Sequence, residues 1–144
     1  MFKNVMMVCI GNICRSPMAE VILQHNKPEL KVYSSGLSAL VGKPADPFSV
    51  ELMAEKNIDL NHHCAQQINS VLVSSSDLIL TMERKHIDII QSKFPEARGK
   101  VHLIGKWIDD KEVPDPYKKN KQAFIEAENI IESGLAAWQT KVWP

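Results

Sequence analysis

The chain has 144 residues, 44% hydrophobic and 24% charged, enough to bury one core and suited to a single domain over residues 1–144. Its 17 basic and 17 acidic side chains cancel, so no global field draws it to nucleic acid or to an anionic membrane, and neither is an expected partner. A single lysine and an apolar run of six residues, Val5 to Ile10, fall far short of a secretory leader or a membrane span, which places the chain in the cytoplasm.

Phe2 to Val8 is short and apolar and runs into a glycine-containing loop, which predicts a buried parallel strand. Ser16 is expected to cap a helix with Pro17 at its first position, placing Met18, Val21, Ile22 and His25 on one face. Leu30 to Ser34 reads as a second strand. After the loop from Gly36 to Pro44, Asp46 and Pro47 form a cap-and-start pair for a helix to about Lys56.

A helical turn is expected over Asn69 to Ser74, a buried strand over Asp77 to Thr81, a helix over Glu83 to Lys93 stopped near Pro95, and a fourth strand over Lys100 to Ile104. Beyond the proline-bearing loop from Asp109 to Lys119, the segment from Gln122 to about Lys141 carries Phe124, Ile125, Ile130, Ile131, Leu135 and Trp138 at helical spacing. It should close the sheet from one side. Strands alternating with helices predict an α/β three-layer sandwich, a four-stranded parallel sheet flanked by helices. Its ligand site should lie beyond the strand C-terminal ends, with a phosphate-binding loop after the first strand.

That loop is the run Cys9-Ile10-Gly11-Asn12-Ile13-Cys14-Arg15-Ser16. A thiol reacts as thiolate and needs positive potential to ionise at neutral pH. The amides of residues 10 to 15 can converge as an anion nest, the following helix adds its N-terminal dipole, and Arg15 adds a full charge. Arginine suits the far end because its planar fork binds two phosphoryl oxygens at once. Gly11 removes a Cβ where oxygens must come close, Asn12 tolerates positive φ, and Ser16 can donate to the sulfur. Alone, Cys9 would be read as a small buried residue at a strand end; the joint pattern argues for a cradle with a nucleophile in its floor.

Three cysteines, an odd number, argue against a disulfide framework and for a reactive thiol. Cys14 either packs under the loop or forms a reversible disulfide that shields Cys9 from overoxidation. Displacing phosphate from an alcohol also requires an acid to protonate the leaving oxygen. Asp115, in Val113-Pro114-Asp115-Pro116-Tyr117, is the candidate, held on a loop restrained by two prolines. By itself it would pass for a turn aspartate.

Together C-x5-R-S-P near the N-terminus and D-P-Y about a hundred residues on closely resemble the low-molecular-weight protein tyrosine phosphatases. The likeness spans the chain, including Ser34-Ser35-Gly36, Ala45-Asp46-Pro47, the His63 segment and Leu80-Thr81-Met82-Glu83. Leu40 and Asp115-Pro116-Tyr117-Lys118-Lys119 look most like bacterial enzymes that act on tyrosine autokinases of capsule and exopolysaccharide export.

The resemblance implies attack by Cys9 on phosphorus, with Arg15 and the loop residues Ile10, Gly11, Asn12, Ile13, Cys14 and Ser16 holding the oxygens. Asp115 would protonate the leaving phenol and then activate water. It also implies that Asn12, Ser35 and His63 form a network fixing the loop, that Glu20 and Glu83 support the arginine, and that Ile13, Leu40 and Tyr117 grip an aromatic ring. His62, beside His63, leaves open which of the two joins the network. Gln66 stands where the family often has arginine. The similar protein-arginine phosphatases tend to have threonine at the position of Ile13, which favours tyrosine here.

No cofactor is implied, and no metal: adjacent His62 and His63 with Cys64 make no recognisable zinc spacing. The implied partner is a phosphotyrosine protein, a tyrosine autokinase with a phosphorylated tail, met by a monomer or weak dimer. Lys118, Lys119 and Lys121 either form a basic rim for that tail or are a solvated cluster. Two rival functions remain, a thiol-dependent arsenate reductase of the same fold and a phosphocysteine carrier that does not hydrolyse. The first relays a disulfide through two cysteines after the third strand, which this chain lacks, and the second has no need of Asp115.

Overall fold

The computed structural model describes residues 2–144. In chain order the elements are β1 (Asn4–Cys9), α1 (Arg15–Asn26), β2 (Lys31–Gly36), α2 (Pro47–Ala54), α3 (Ser70–Ser75), β3 (Leu78–Thr81), α4 (Arg84–Lys93), a 3₁₀ turn (Pro95–Ala97), β4 (Val101–Leu103) and α5 (Lys121–Val142). The strands form one parallel sheet in the order β2-β1-β3-β4.

The central strands are buried on both faces, as their unbroken apolar runs require. Alternation along β1 divides the core. Val5, Met7 and Cys9 face one side, packed with Met18, Ile22 and Leu23 of α1, Leu52 and Met53 of α2, and Phe124, Ile131 and Leu135 of α5. Met6 and Val8 face the other, with Val73 of α3, Ile79 of β3, Ile90 of α4 and Val101 of β4. The result is the three-layer sandwich expected from the sequence, with α5 on the α1 side of the sheet.

Polar clips fix the edges of this arrangement. Both backbone amides of Lys3 and Asn4 donate to the Asp77 carboxylate, at 2.9 and 2.8 Å, so Asp77 ties the approach to β3 onto β1 rather than entering the strand. Trp143 Nε1 donates to the Phe2 carbonyl at 2.8 Å, pinning the end of α5 beside the start of β1. Asp46 accepts from Phe48 N at 2.9 Å with Pro47 opening α2, the cap read from the sequence.

Two helical expectations need correction. Helix α1 begins at Arg15, with Cys14 as its N-cap residue and no side-chain cap; Ser16 lies inside the first turn with its hydroxyl on Cys9, so it is unavailable as a cap. The shift rotates the buried face. Met18, Ala19, Ile22 and Leu23 are buried, Val21 is half-buried, and His25 is exposed in the last turn, where a basic side chain suits the helix dipole.

Candidate active site

The backbone of the loop between β1 and α1 is anchored through its carbonyl groups. The oxygens of Cys9, Ile10, Gly11 and Ile13 accept from the backbone N–H of Leu37, Ser38, Leu40 and Asp46 at 2.8–3.0 Å. The Asn12 oxygen accepts from His63 Nε2 at 2.6 Å, and the Cys14 oxygen from Ser49 Oγ at 3.1 Å. Six consecutive carbonyls therefore point outward. In a planar trans peptide the next residue's N–H points the opposite way, so the amides of residues 10 to 15 face away from these anchors. This is the anion nest, built by donors 28 to 51 residues away in sequence.

Backbone geometry makes the turn possible. Asn12 adopts φ 59°, the left-handed region anticipated for it. A Cβ at Gly11 would meet, within the protein, only the Ile13 and Leu40 side chains, at 3.8 Å. A close backbone approach falls at Gly36, where a Cβ would lie 2.5 Å from the Ile10 carbonyl oxygen.

Beneath the loop runs a directed chain of hydrogen bonds. Asn12 is fully buried; its Oδ1 accepts from Gln66 N at 2.9 Å, and its two amide protons go to Ser16 Oγ at 2.8 Å and Ser34 Oγ at 2.9 Å. Ser34 donates onward to Glu20 at 2.6 Å. Ser16 Oγ lies 2.9 Å from Cys9 Sγ. Because Ser16 already accepts from Asn12 and has no other acceptor among the described residues, its proton points at the sulfur.

This network corrects three assignments. The serine in it is Ser34, not Ser35: Ser34 pairs in register with Met7 on the α1 side, whereas Ser35 pairs with Val8 and turns its hydroxyl to Met6 Sδ on the other face. Glu20 reaches Ser34, not Arg15; burial raises its pKa, opposed by the Ser34 hydrogen bond and the His63 charge. The side chains of Asn12 and Ser16, expected to touch substrate, lie beneath the cradle, which Asn12 meets through its backbone amide alone. His63 is the histidine that binds the loop, while His62 is 92% exposed and pairs with Asp59.

Arg15 is 1% exposed and held from one side. Its Nη1 donates to Glu83 Oε2 and to the Val113 carbonyl, both at 2.7 Å, which uses both Nη1 protons and leaves Nη2 and Nε for the cradle. Burial works against the Glu83 charge, but the Arg15 hydrogen bond and charge prevail and lower its pKa. Asp115 Oδ2 stands 3.8 Å from Arg15 Nη2, too long for a direct bond, and Oδ1 accepts from Tyr117 N at 3.1 Å. That turn closes through Lys119 N to the Pro116 oxygen, with Lys118 at φ 62°.

Cys9, Arg15, Asp115, Ile10, Gly11, Ile13, Cys14, Leu40 and Tyr117 share one cleft with Ser38, of about 110 Å³. For scale, a cavity of roughly 150 Å³ accepts benzene. Leu40 and Tyr117 form its exposed lip. Burial, then the charges of Asp46, Cys9 and Asp115, push the Cys14 thiol up, so Cys14 stays protonated at neutral pH.

Several contributors escaped sequence reading. Ser38 and Ser49 carry no motif of their own, and the motif Ser34-Ser35-Gly36 does not say which of its serines faces the loop. Gln66 donates from Nε2 to the Ser34 carbonyl at 2.8 Å, and Gln67 clasps the loop at Leu37 and Ala39. Lys121 binds Glu51 and Glu55, so a basic rim reduces to Lys118 and Lys119. No cluster of metal-ligating side chains occurs, and no helix is long and apolar enough to cross a membrane, among the described residues.

The family model for low molecular weight phosphotyrosine protein phosphatase matches residues 4–143. Over 138 residues the chain is 49% identical to the low molecular weight protein-tyrosine-phosphatase Wzb of Escherichia coli K12, covering 96% of this chain and 94% of that protein. It is 44% identical over 142 residues to the probable low molecular weight protein-tyrosine-phosphatase EpsP of Ralstonia nicotianae, covering 99% and 97%. Among solved structures, Vibrio vulnificus Wzb in complex with benzylphosphonate superposes with a TM-score of 0.95 at 42% identity, over 99% of this chain and 100% of that one.

Proposed function

The chain belongs to the low molecular weight phosphotyrosine protein phosphatase family and is a protein-tyrosine-phosphatase, and we propose that it works as one domain through a phosphocysteine on Cys9. The observation that carries this reading is the shared cleft: a sulfur at the floor of an inward-facing amide nest, an arginine fork at its edge and a carboxyl at its mouth.

In the first step the Cys9 sulfur forms a bond to phosphorus while the bond from phosphorus to the phenol oxygen breaks, and Asp115 gives that oxygen its proton. The six amides and the free side of Arg15 take the phosphoryl oxygens as charge spreads over them. In the second, water attacks phosphorus, Asp115 takes its proton, and the sulfur leaves with the Ser16 hydroxyl donating to it. Ile13, Leu40 and Tyr117 supply apolar walls for a ring, which a shorter phosphoserine side chain does not reach.

The substrate is a phosphotyrosine protein, and the finer reading is a bacterial tyrosine autokinase of capsule or exopolysaccharide export, met in the cytoplasm. The likeness to the bacterial protein-tyrosine-phosphatases Wzb and EpsP supports it, as does the exposed Lys118 and Lys119 pair near the mouth. The rival chemistries find no support: for the reductase, Cys64 is exposed ahead of α3 and no cysteine follows β3, and a carrier would have no use for Asp115 in the cleft.

Phosphate release from peptides carrying phosphotyrosine, phosphoserine or phosphoarginine tests the class, with phosphotyrosine expected to lead by at least about a hundredfold in kcat/KM, the advantage of an apolar pocket that grips a whole ring. Equal rates on the three would refute it. Capture by the Asp115→Asn variant of an autokinase phosphorylated in its tail, and its dephosphorylation by the wild type, tests the partner.

A further inference from the structure

A histidine whose ring makes no hydrogen bond stands behind the arginine. His86 lies in the first turn of α4, is 0% exposed, and neither of its ring nitrogens has a partner among the described residues. Keeping two polar atoms dry costs stability that leucine at this position would not. The ring is not placed at random. Its Nε2 lies 3.4 Å from Glu83 Oε2, short of hydrogen-bond geometry, and that same oxygen accepts from Arg15 Nη1 at 2.7 Å.

We propose that His86 is a positioning residue for Arg15, acting through Glu83: its Nε2–H backs Oε2 and keeps that oxygen turned toward the guanidinium, an inference that rests on Arg15 binding the phosphoryl group. Glu83 and the Val113 carbonyl together hold Nη1, and that grip sets the direction of the two nitrogens left for the cradle. Rotation of the Glu83 carboxylate would loosen one of the two.

The charged groups facing the ring are Arg15 from α1, Glu83 and Lys85 from its own segment, and Asp115 from the loop across the cleft. Burial, reinforced by the Arg15 charge, pushes the imidazole down to about 4, so it is neutral at physiological pH. A neutral ring has one N–H to give, and Nε2 is the nitrogen with an acceptor in reach. An imidazolium would compete with Arg15 for Oε2 instead of supporting it.

The test compares inorganic phosphate affinity, by calorimetry and by competitive inhibition of para-nitrophenyl phosphate hydrolysis, in the wild type, His86→Leu, His86→Asn, His86→Gln, Glu83→Gln and the double variant Glu83→Gln/His86→Leu. Glutamine can bring its amide nitrogen where Nε2 lies; asparagine, matching Nδ1, cannot. His86→Leu and His86→Asn are expected to bind phosphate about tenfold more weakly, as the Glu83 carboxylate loses the N–H behind it and its hold on Arg15 loosens. His86→Gln should recover most of this, and His86→Leu should add nothing once Glu83 is glutamine.

Wild-type affinity in all three His86 variants, equal behaviour of asparagine and glutamine, or additive losses in the double variant would overturn the proposal. Should His86→Leu fail to fold, the asparagine-against-glutamine comparison decides alone. A wild type that does not bind phosphate removes the catalytic reading and this one together, whereas a binding wild type with indifferent His86 variants removes only the second.

Discussion

Ser16 Oγ sits 2.9 Å from Cys9 Sγ with its proton directed at the sulfur, the one acceptor within its reach among the described residues. A sulfur that receives a hydrogen bond is stabilised as thiolate and as leaving group. Ser16→Ala is expected to slow iodoacetamide alkylation of Cys9 at pH 7 by roughly tenfold, the effect of one charge-assisted hydrogen bond. It should also cost about 1–2 kcal/mol of stability, since Asn12 Nδ2 is left with a buried, unpaired proton. Alkylation at the wild-type rate would take Ser16 out of the role.

Asp115 lies beside the fork rather than in it, 3.8 Å from Nη2 and 42% exposed, which leaves its carboxyl free to meet a leaving oxygen. Asp115→Asn should slow phosphotyrosine hydrolysis by on the order of a hundredfold or more, and by less for aryl phosphates with more acidic phenols, which need less help to leave. Cys9→Ser should abolish turnover yet still bind phosphate through the amide nest. Steady-state kinetics over a series of substituted phenyl phosphates checks the first, and calorimetry with phosphate the second. A uniform loss across the series would assign Asp115 to binding.

How far the sequence reaches into this site depends on how local each signal is. The cap at Asp46 and Pro47, the left-handed Asn12 and the strand-loop-helix entry were legible because each is set by a residue and its immediate neighbours. The choice between Ser34 and Ser35 was not, because it turns on strand register: one step along β2 moves a hydroxyl from the α1 face to the opposite one. Reading Ser16 as a cap failed for a related reason. The loop carbonyls that run into α1 are held by residues 37 to 63, contacts distant in sequence, and of those partners Leu37, Ser38 and Ser49 carry no motif.

Gly36 marks where β2 passes under the loop, and a methyl group there would stand 2.5 Å from the Ile10 oxygen, a backbone atom that cannot move aside alone. That oxygen is one of the six outward carbonyls, so displacing it turns an amide out of the nest. Gly36→Ala is expected to lose about 1–3 kcal/mol of stability and to weaken phosphate binding as well. Gly11→Ala, facing only side chains at 3.8 Å, should fold with near wild-type stability. Equal thermal stability of the two variants would contradict this placement.

The pH dependence of stability should carry an imprint of Glu128, buried on α5 beside Glu132 and Lys56. Burial, then the hydrogen bond and charge of Glu132, raise its pKa from 4.5 to about 7 against the opposing pull of Lys56. Between those values the folded chain holds a proton that the unfolded chain has released. This contribution is therefore fully present below about pH 4.5 and is lost as pH rises toward 7.

His86 acts in the reverse sense, its lowered value adding stability as pH rises from about 4 to 6.5. The two partly cancel in the wild type and are separated by substitution. Glu128→Gln, which fixes the neutral form, should raise Tm at pH 8 by about 2–4 °C, equivalent to about 1 kcal/mol, with little change at pH 4.5. It should leave a profile that climbs between pH 4 and 6.5. A Glu128→Gln variant no more stable than the wild type at pH 8 would mean that Lys56 fully offsets the burial of that carboxylate.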